Sequence, residues 1–218
     1  LVVYVAVMAI DGPGRTIGLG GPCIARPGSI LPIAGDVILD SADLPALIAA
    51  GQLGDVVLHE LLHVVGIGTI WGPAPFGQDR VSGYGGGDPQ FTGPSARAAF
   101  AAAGGAMSDL GVPVENLGGA GTRDAHWRES VLGAELMTGT LQSGQANPLS
   151  AITIAALGDL GYGVSLTEAD AFSLRVLAHA VTAAEGVQAS MAGVVGDVRA
   201  LRFVARPDGG LRPVAPSR

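Results

Sequence analysis

The sequence predicts an α+β fold, and three observations carry that prediction. Two runs rich in β-branched and apolar side chains, "LVVYVAVMAI" (1–10) and "LPIAGDVILD" (31–40), read as strands. From about Gln52 to Val65 the period changes, and Leu53, Val57, Leu61 and Val64 recur at helical spacing to make one apolar stripe. The 35 glycines and 14 prolines among 218 residues demand many tight turns, so much of the remaining backbone is irregular.

Residues 1–10 close at the turn "DGPG" and fit a central strand buried on both faces. "RTIGLGGPCIARPG" (15–28) is too glycine-rich for a strong interior strand, and its prolines suit an edge. The strand at 31–40 leads into "SADLPALIAAG", a short helical connection, and then into the helix at 52–65. Gly66 follows the last periodic residue, where glycine can take positive φ and turn the chain sharply. Residues 67–125 are mostly loop, with one helix in "SARAAFAAAG" (95–104). In "NPLSAITIAALGDLGY" (147–162) Ile152, Ala155, Ala156 and Leu160 share a helical face, with Ser150 at the cap or just inside it. "LTEADAFSLRVLAHAVTAAEG" (166–186) reads as another amphipathic helix, and "RPDGGLRPVAPSR" (206–218) as a poorly ordered tail.

Net charge is −7, every positive side chain is arginine, and no basic cluster lies outside the tail, which argues against nucleic-acid binding. The single Cys23 excludes an intramolecular disulfide and leaves the redox compartment open. The apolar opening run is too short to cross a bilayer, so no transmembrane segment is expected in this chain. Because the chain opens inside a strand without an initiator Met, any secretion signal or pro-segment is expected upstream. Oligomeric state has no signature in the sequence.

The chemistry concentrates in "HELLHVVGIGTIW" (59–71). Imidazoles at i and i+4 lie about 40° apart around a helix and about 6 Å apart along it, so His59 and His63 can converge on one ion about 2 Å from each nitrogen. Glu60 is rotated by roughly 100° and can serve a water in an open coordination position instead of binding the metal. Two imidazoles make a poor zinc site, and the place where the longer H-E-x-x-H-x-x-G-x-x-H signature has a third histidine holds Thr69. The remaining candidates are few. His179 sits among alanines and valines of a surface helix, His126 lies in the loop-rich "GAGTRDAHWRESVLGAELMTG" 11 residues before Met137, and Glu129 and Glu135 are nearby carboxylates. Spacing alone does not choose among them.

The combination of "HELLHVVGIGT", a long insertion, "HWRESVLGAELMTG" and "NPLSAITIAALGDLGY", preceded by "LGGPCIARPGSILPIAGDVILDSADL", resembles the leishmanolysin family of metzincin zinc peptidases, in a shorter, bacterial-type form. The resemblance runs from the early strands to about Gly163. It implies a metzincin-type zincin: a mixed twisted sheet and active-site helix in an upper lobe (1–66) and an irregular lower lobe with a Met-turn and a second long helix (67–165); the further helix and tail (166–218) lie beyond it and rest on pattern alone. It implies His59, His63 and His126 as ligands of one catalytic Zn2+, Glu60 as general base, Gly66 as the exit from the helix, and Met137 as an apolar floor beneath the metal. Asp124 and Glu135 read equally well as acceptors orienting His126 or as surface or loop residues, and Leu19, Gly20 and Gly21 would form the edge along which a protein or peptide substrate lies. The expected activity is zinc-dependent endopeptidase, secreted or held at the cell envelope. The rival reading is a catalytically silent adhesion module that keeps the fold, although an intact Glu60 gives such a module nothing obvious. A structural zinc site would need a fourth ligand such as His179 or Cys23, and calcium in the acidic, glycine-rich loops is left open. Asp79, Asp88 and Arg97 read equally well as pocket residues or as solvated loop charges.

Overall fold

The computed structural model describes residues 1–106, 110–174, 193–198, 203–206 and 210–213. Strands β1 (Val2–Met8), β2 (Thr16–Ala25) and β3 (Pro32–Asp40) lead through α1 (Leu44–Ala50) to α2 (Leu53–Val65), which packs across β2 and β3. The loop region that follows carries β4 (Val81–Ser82), β5 (Gln90–Phe91) and β6 (Val112–Pro113), paired antiparallel, with α3 (Pro94–Ala102) between the last two. Next come α4 (Glu129–Leu132), β7 (Thr140–Leu141) and α5 (Ala151–Leu160), then a 3-10 turn at Leu166–Glu168. Strands β8 (Gly193–Val198), β9 (Phe203–Ala205) and β10 (Leu211–Pro213) complete the described chain.

Among the described residues the main sheet runs β1-β3-β2-β8-β7, with β9 also on β2 and β10 on β9. β1 is parallel to β3, β2 is antiparallel to β3, and β8 is parallel to β2. The architecture is the α+β, mixed twisted sheet with helices that the sequence predicts.

Two strands exchange their expected roles. The run expected to be central, β1, pairs with β3 alone among the described residues, and Val2, Tyr4, Val5, Val7 and Met8 are all more than half exposed. The stretch expected at the edge, β2, is interior, so Leu19, Gly20 and Gly21 do not form a free edge. Its outer side pairs with β8 through Gly18↔Val195, Leu19↔Asp197 and Gly20↔Val198, and with β9 through Ile24↔Phe203. The physical reason is that Pro22 is accommodated at a register shift in the β2–β3 ladder, and glycines leave the β2 backbone accessible to a neighbour on each side.

The chain end also differs from expectation. Residues 166–168 form a 3-10 turn and 169–173 carry no regular secondary structure in place of the first turns of a helix, and residues 175–186 of that expected helix, His179 included, lie outside the described residues. Within the expected tail, Leu211–Pro213 pairs antiparallel with Phe203–Ala205.

Two hydrophobic clusters flank α2. Above it Ile17, Val37, Leu39 and Leu47 pack with Val56 and Val64, and Leu53, Val57 and Leu61 of the predicted stripe lie against this cluster half-buried. Below it Leu62 joins Ile67, Trp71, Phe91, Trp127, Met137 and Ile152. The helix is thus enclosed on both sides, and its polar residues His59, Glu60 and His63 are as fully buried as Val64 and more so than Leu53, Val57 and Leu61 of the stripe. Burying such groups is tolerated only where each finds a partner or a ligand.

Candidate metal centre

α2 ends where the site begins. Gly66, with φ of 122°, donates its N–H to the carbonyls of Leu62 and His63, and the Thr69 hydroxyl donates to His63 O at 2.8 Å. Thr69 therefore finishes the helix and contributes no ligand. Two residues past Gly66 the chain passes so close to Ala125 that a side chain on Gly68 would collide with the Ala125 carbonyl oxygen. That close approach brings in the segment bearing His126. The segment is pinned from both sides: Trp71 Nε1 donates to Asp124 O at 2.6 Å, Glu115 N to His126 O at 2.8 Å, and Trp127 N to Met137 O at 2.9 Å.

The result is a triangle of imidazoles. Nε2 of His63 lies 3.0 Å from Nε2 of His59 and 3.0 Å from that of His126, and the third side is 3.2 Å. All three rings are buried, at 0–1% exposure. Each opposite nitrogen faces a backbone carbonyl: His59 Nδ1 to Leu136 O at 2.7 Å, His63 Nδ1 to Ile67 O at 2.8 Å, and His126 Nδ1 to Thr122 O at 3.0 Å. A carbonyl only accepts, so each Nδ1 carries the hydrogen and each Nε2 presents a lone pair. Three lone pairs pointed at one another repel unless a cation lies among them. Among the described residues this is the only group of three or more such side chains whose ligand atoms lie within 4.8 Å of one another. The neutral nitrogen donors and their convergence fit a zinc ion about 2 Å from each. Electrostatics agree: burial, with the neighbouring His126 ring, pushes His59 down to about 3, and burial with both neighbouring rings holds His63 well below the ordinary imidazole value.

Glu60 is fully buried, its carboxylate against β2 beside Gly18 and Gly20. Met137 is also fully buried, in the turn whose preceding carbonyl, Leu136 O, holds His59. His126 Nδ1 meets Thr122 O, and of the two readings open for Asp124 and Glu135 the loop role is the one their hydrogen bonds match. Asp124, at φ 63°, instead accepts from Gly85 N. Glu135 accepts from Met137 N at 2.6 Å, from the Ser150 hydroxyl at 2.7 Å and from the Thr153 hydroxyl at 2.6 Å, and burial raises its pKa. It therefore ties the Met137 turn to the start of α5, where Ser150 caps the helix by accepting from Ile152 N and Thr153 N. Neither Glu129 nor Glu135 belongs to the imidazole group, and Cys23 Sγ lies 3.5 Å from Asp36 Oδ1. Asp88 pairs with Arg128 at 2.7 Å, while Asp79 and Arg97 stay outside the group.

Sequence reasoning missed a cleft of about 280 Å³ beside His126, lined by Glu115, Thr122, Glu129, Ser130, Gly139 and Thr140. Its walls come from three separate segments, the loop at 115–122, the start of α4 and the turn into β7, and no periodic pattern marks them. No single helix among the described residues is long and apolar enough to cross a membrane. Residues 1–181 match the family model described as leishmanolysin. No curated protein matches the chain.

Proposed function

The chain belongs to the leishmanolysin family of metallopeptidases, and from that premise we propose that it is a zinc-dependent endopeptidase with His59, His63 and His126 as metal ligands and Glu60 as general base. The observation that carries this reading is the triangle of three buried, neutral imidazoles whose lone pairs meet at one point. Bound zinc would supply a Lewis acid toward a water and a peptide carbonyl. The residues supply the rest. The carbonyls of Leu136, Ile67 and Thr122 fix the ring tautomers and orientations. Glu60, one residue from His59 and turned by roughly 100° on the helix, takes the proton from the attacking water and returns it to the leaving amine. Met137 furnishes apolar packing beneath the rings and stays outside the proton path.

We divide the chain functionally at Gly66 and near 165, with the cleft between α2 and the Met137 turn. The 280 Å³ cleft beside His126 is our candidate for receiving a substrate side chain. Because family members are typically surface-bound or secreted, we propose the same setting for this chain. The test is metal analysis together with cleavage of an unstructured protein such as casein. We expect one zinc per chain, activity abolished by a chelator, and a Glu60→Ala variant that keeps its zinc but loses activity on the order of 10³-fold. Undiminished cleavage by Glu60→Ala would overturn the assignment.

A further inference from the structure

β2 carries glycine at 18, 20 and 21, and two of these face the proposed base. Residues i and i+2 of a strand share a face, so Gly18 and Gly20 present one bare surface to α2 while Leu19 points the other way. Glu60 lies on that surface. A Cβ on Gly18 would stand 2.6 Å from Glu60 Oε1 and 3.0 Å from its Cδ and Cγ, all of them side-chain atoms. A Cβ on Gly20 would collide with the backbone carbonyl oxygen of Glu60 and stand 2.7 Å from Oε2. The two glycines therefore do different work. Gly20 sets how closely the backbone of α2 approaches β2. The three atoms nearest to a Cβ on Gly18 are all in the Glu60 side chain, with none from its backbone.

Resting on the reading of Glu60 as general base, we propose that Gly18 is a positioning residue for catalysis: its missing side chain leaves the space in which the Glu60 carboxylate is held. A methyl group at 18 pushes that carboxylate out of its seat without moving the helix backbone. A methyl group at 20 forces strand and helix apart, which alters the fold around the histidines.

The experiment is a set of zinc-loaded full-length variants, each measured for kcat, KM, zinc content and Tm. Gly18→Ala is expected to keep one zinc, a KM within about twofold and a near-native Tm, with kcat down on the order of a hundredfold, the loss typical of a displaced catalytic group. Gly20→Ala is expected to lower Tm with or without zinc. Glu60→Asp draws the carboxylate back by one methylene, so it should cost far less in the Gly18→Ala background than in the native protein, and it should not rescue Gly20→Ala. A kcat for Gly18→Ala within twofold of native, while Glu60→Gln is inactive, overturns the positioning role and leaves the base assignment standing. Activity in Glu60→Gln overturns both. Should Gly18→Ala fail to fold, restoration of folding and zinc content by Glu60→Asp supports the proposal, and failure to restore them refutes it.

Discussion

Each imidazole of the triangle is oriented by a main-chain oxygen, from Leu136, Ile67 or Thr122. Side-chain substitution at those three positions therefore leaves the tautomers intact, whereas moving the loops disturbs them. Glu135 is the residue that holds one of those loops. Replacing it by Ala strands buried donors at Met137 N, Ser150 and Thr153, and we predict a loss of about 3 kcal/mol, read as a lower midpoint in urea unfolding. His59 and His63 were legible because the helical period places them on one face. His126 became legible only by resemblance, because a ligand 63 residues away on a loop leaves no periodic trace. Glu135 stayed open between a partner of His126 and a loop residue, since a carboxylate nine residues away in an irregular loop has no direction in the sequence.

At the scale of elements, the unusual feature is α2, whose histidines and glutamate are buried more completely than Leu53, Val57 and Leu61 of its apolar stripe. Amphipathic patterning assumes a solvent face, and here the second face is covered by the lower cluster built on Trp71, Trp127 and Met137. The first three strands were recognised, but their order was not, and the short strands β4 to β10 were not read at all: strand order and short pairings depend on long-range contacts, which an apolar run does not specify. The consequence bears on function. β8 lies parallel along the outer side of β2 and antiparallel to β7, spanning from the strand beside Glu60 to the segment just after Met137. A peptide adding to β2 as a strand must take the place of β8. Truncation before Gly193 is therefore expected to lower KM for an extended peptide several-fold, with kcat nearly unchanged, in steady-state assays. An unchanged KM would show that substrate takes another path.

For the molecule as a whole, α2 and the loop bearing His126 already share the lower cluster through Leu62, Trp127 and Met137, and a zinc ion held by the three imidazoles would add a further link between them. Zinc bound only by the folded chain adds stability by mass action, so chelation should lower Tm and readdition should restore it. The sign of the pH dependence follows from the buried rings. In the metal-free chain His59 titrates at about 3 when folded but near 6.5 when unfolded, so the unfolded state binds more protons across that window. Stability of the metal-free protein is thus complete above about 6.5 and falls progressively as pH drops toward 3, and His63 acts in the same direction. Unfolding midpoints measured across that range check it. The most direct test of the central claim is zinc-edge X-ray absorption on the native protein and on His126→Ala. Three imidazole nitrogens and one water oxygen at about 2 Å are expected in the native protein, with one imidazole fewer or no bound zinc in the variant. An identical imidazole count and full zinc occupancy in both would contradict it.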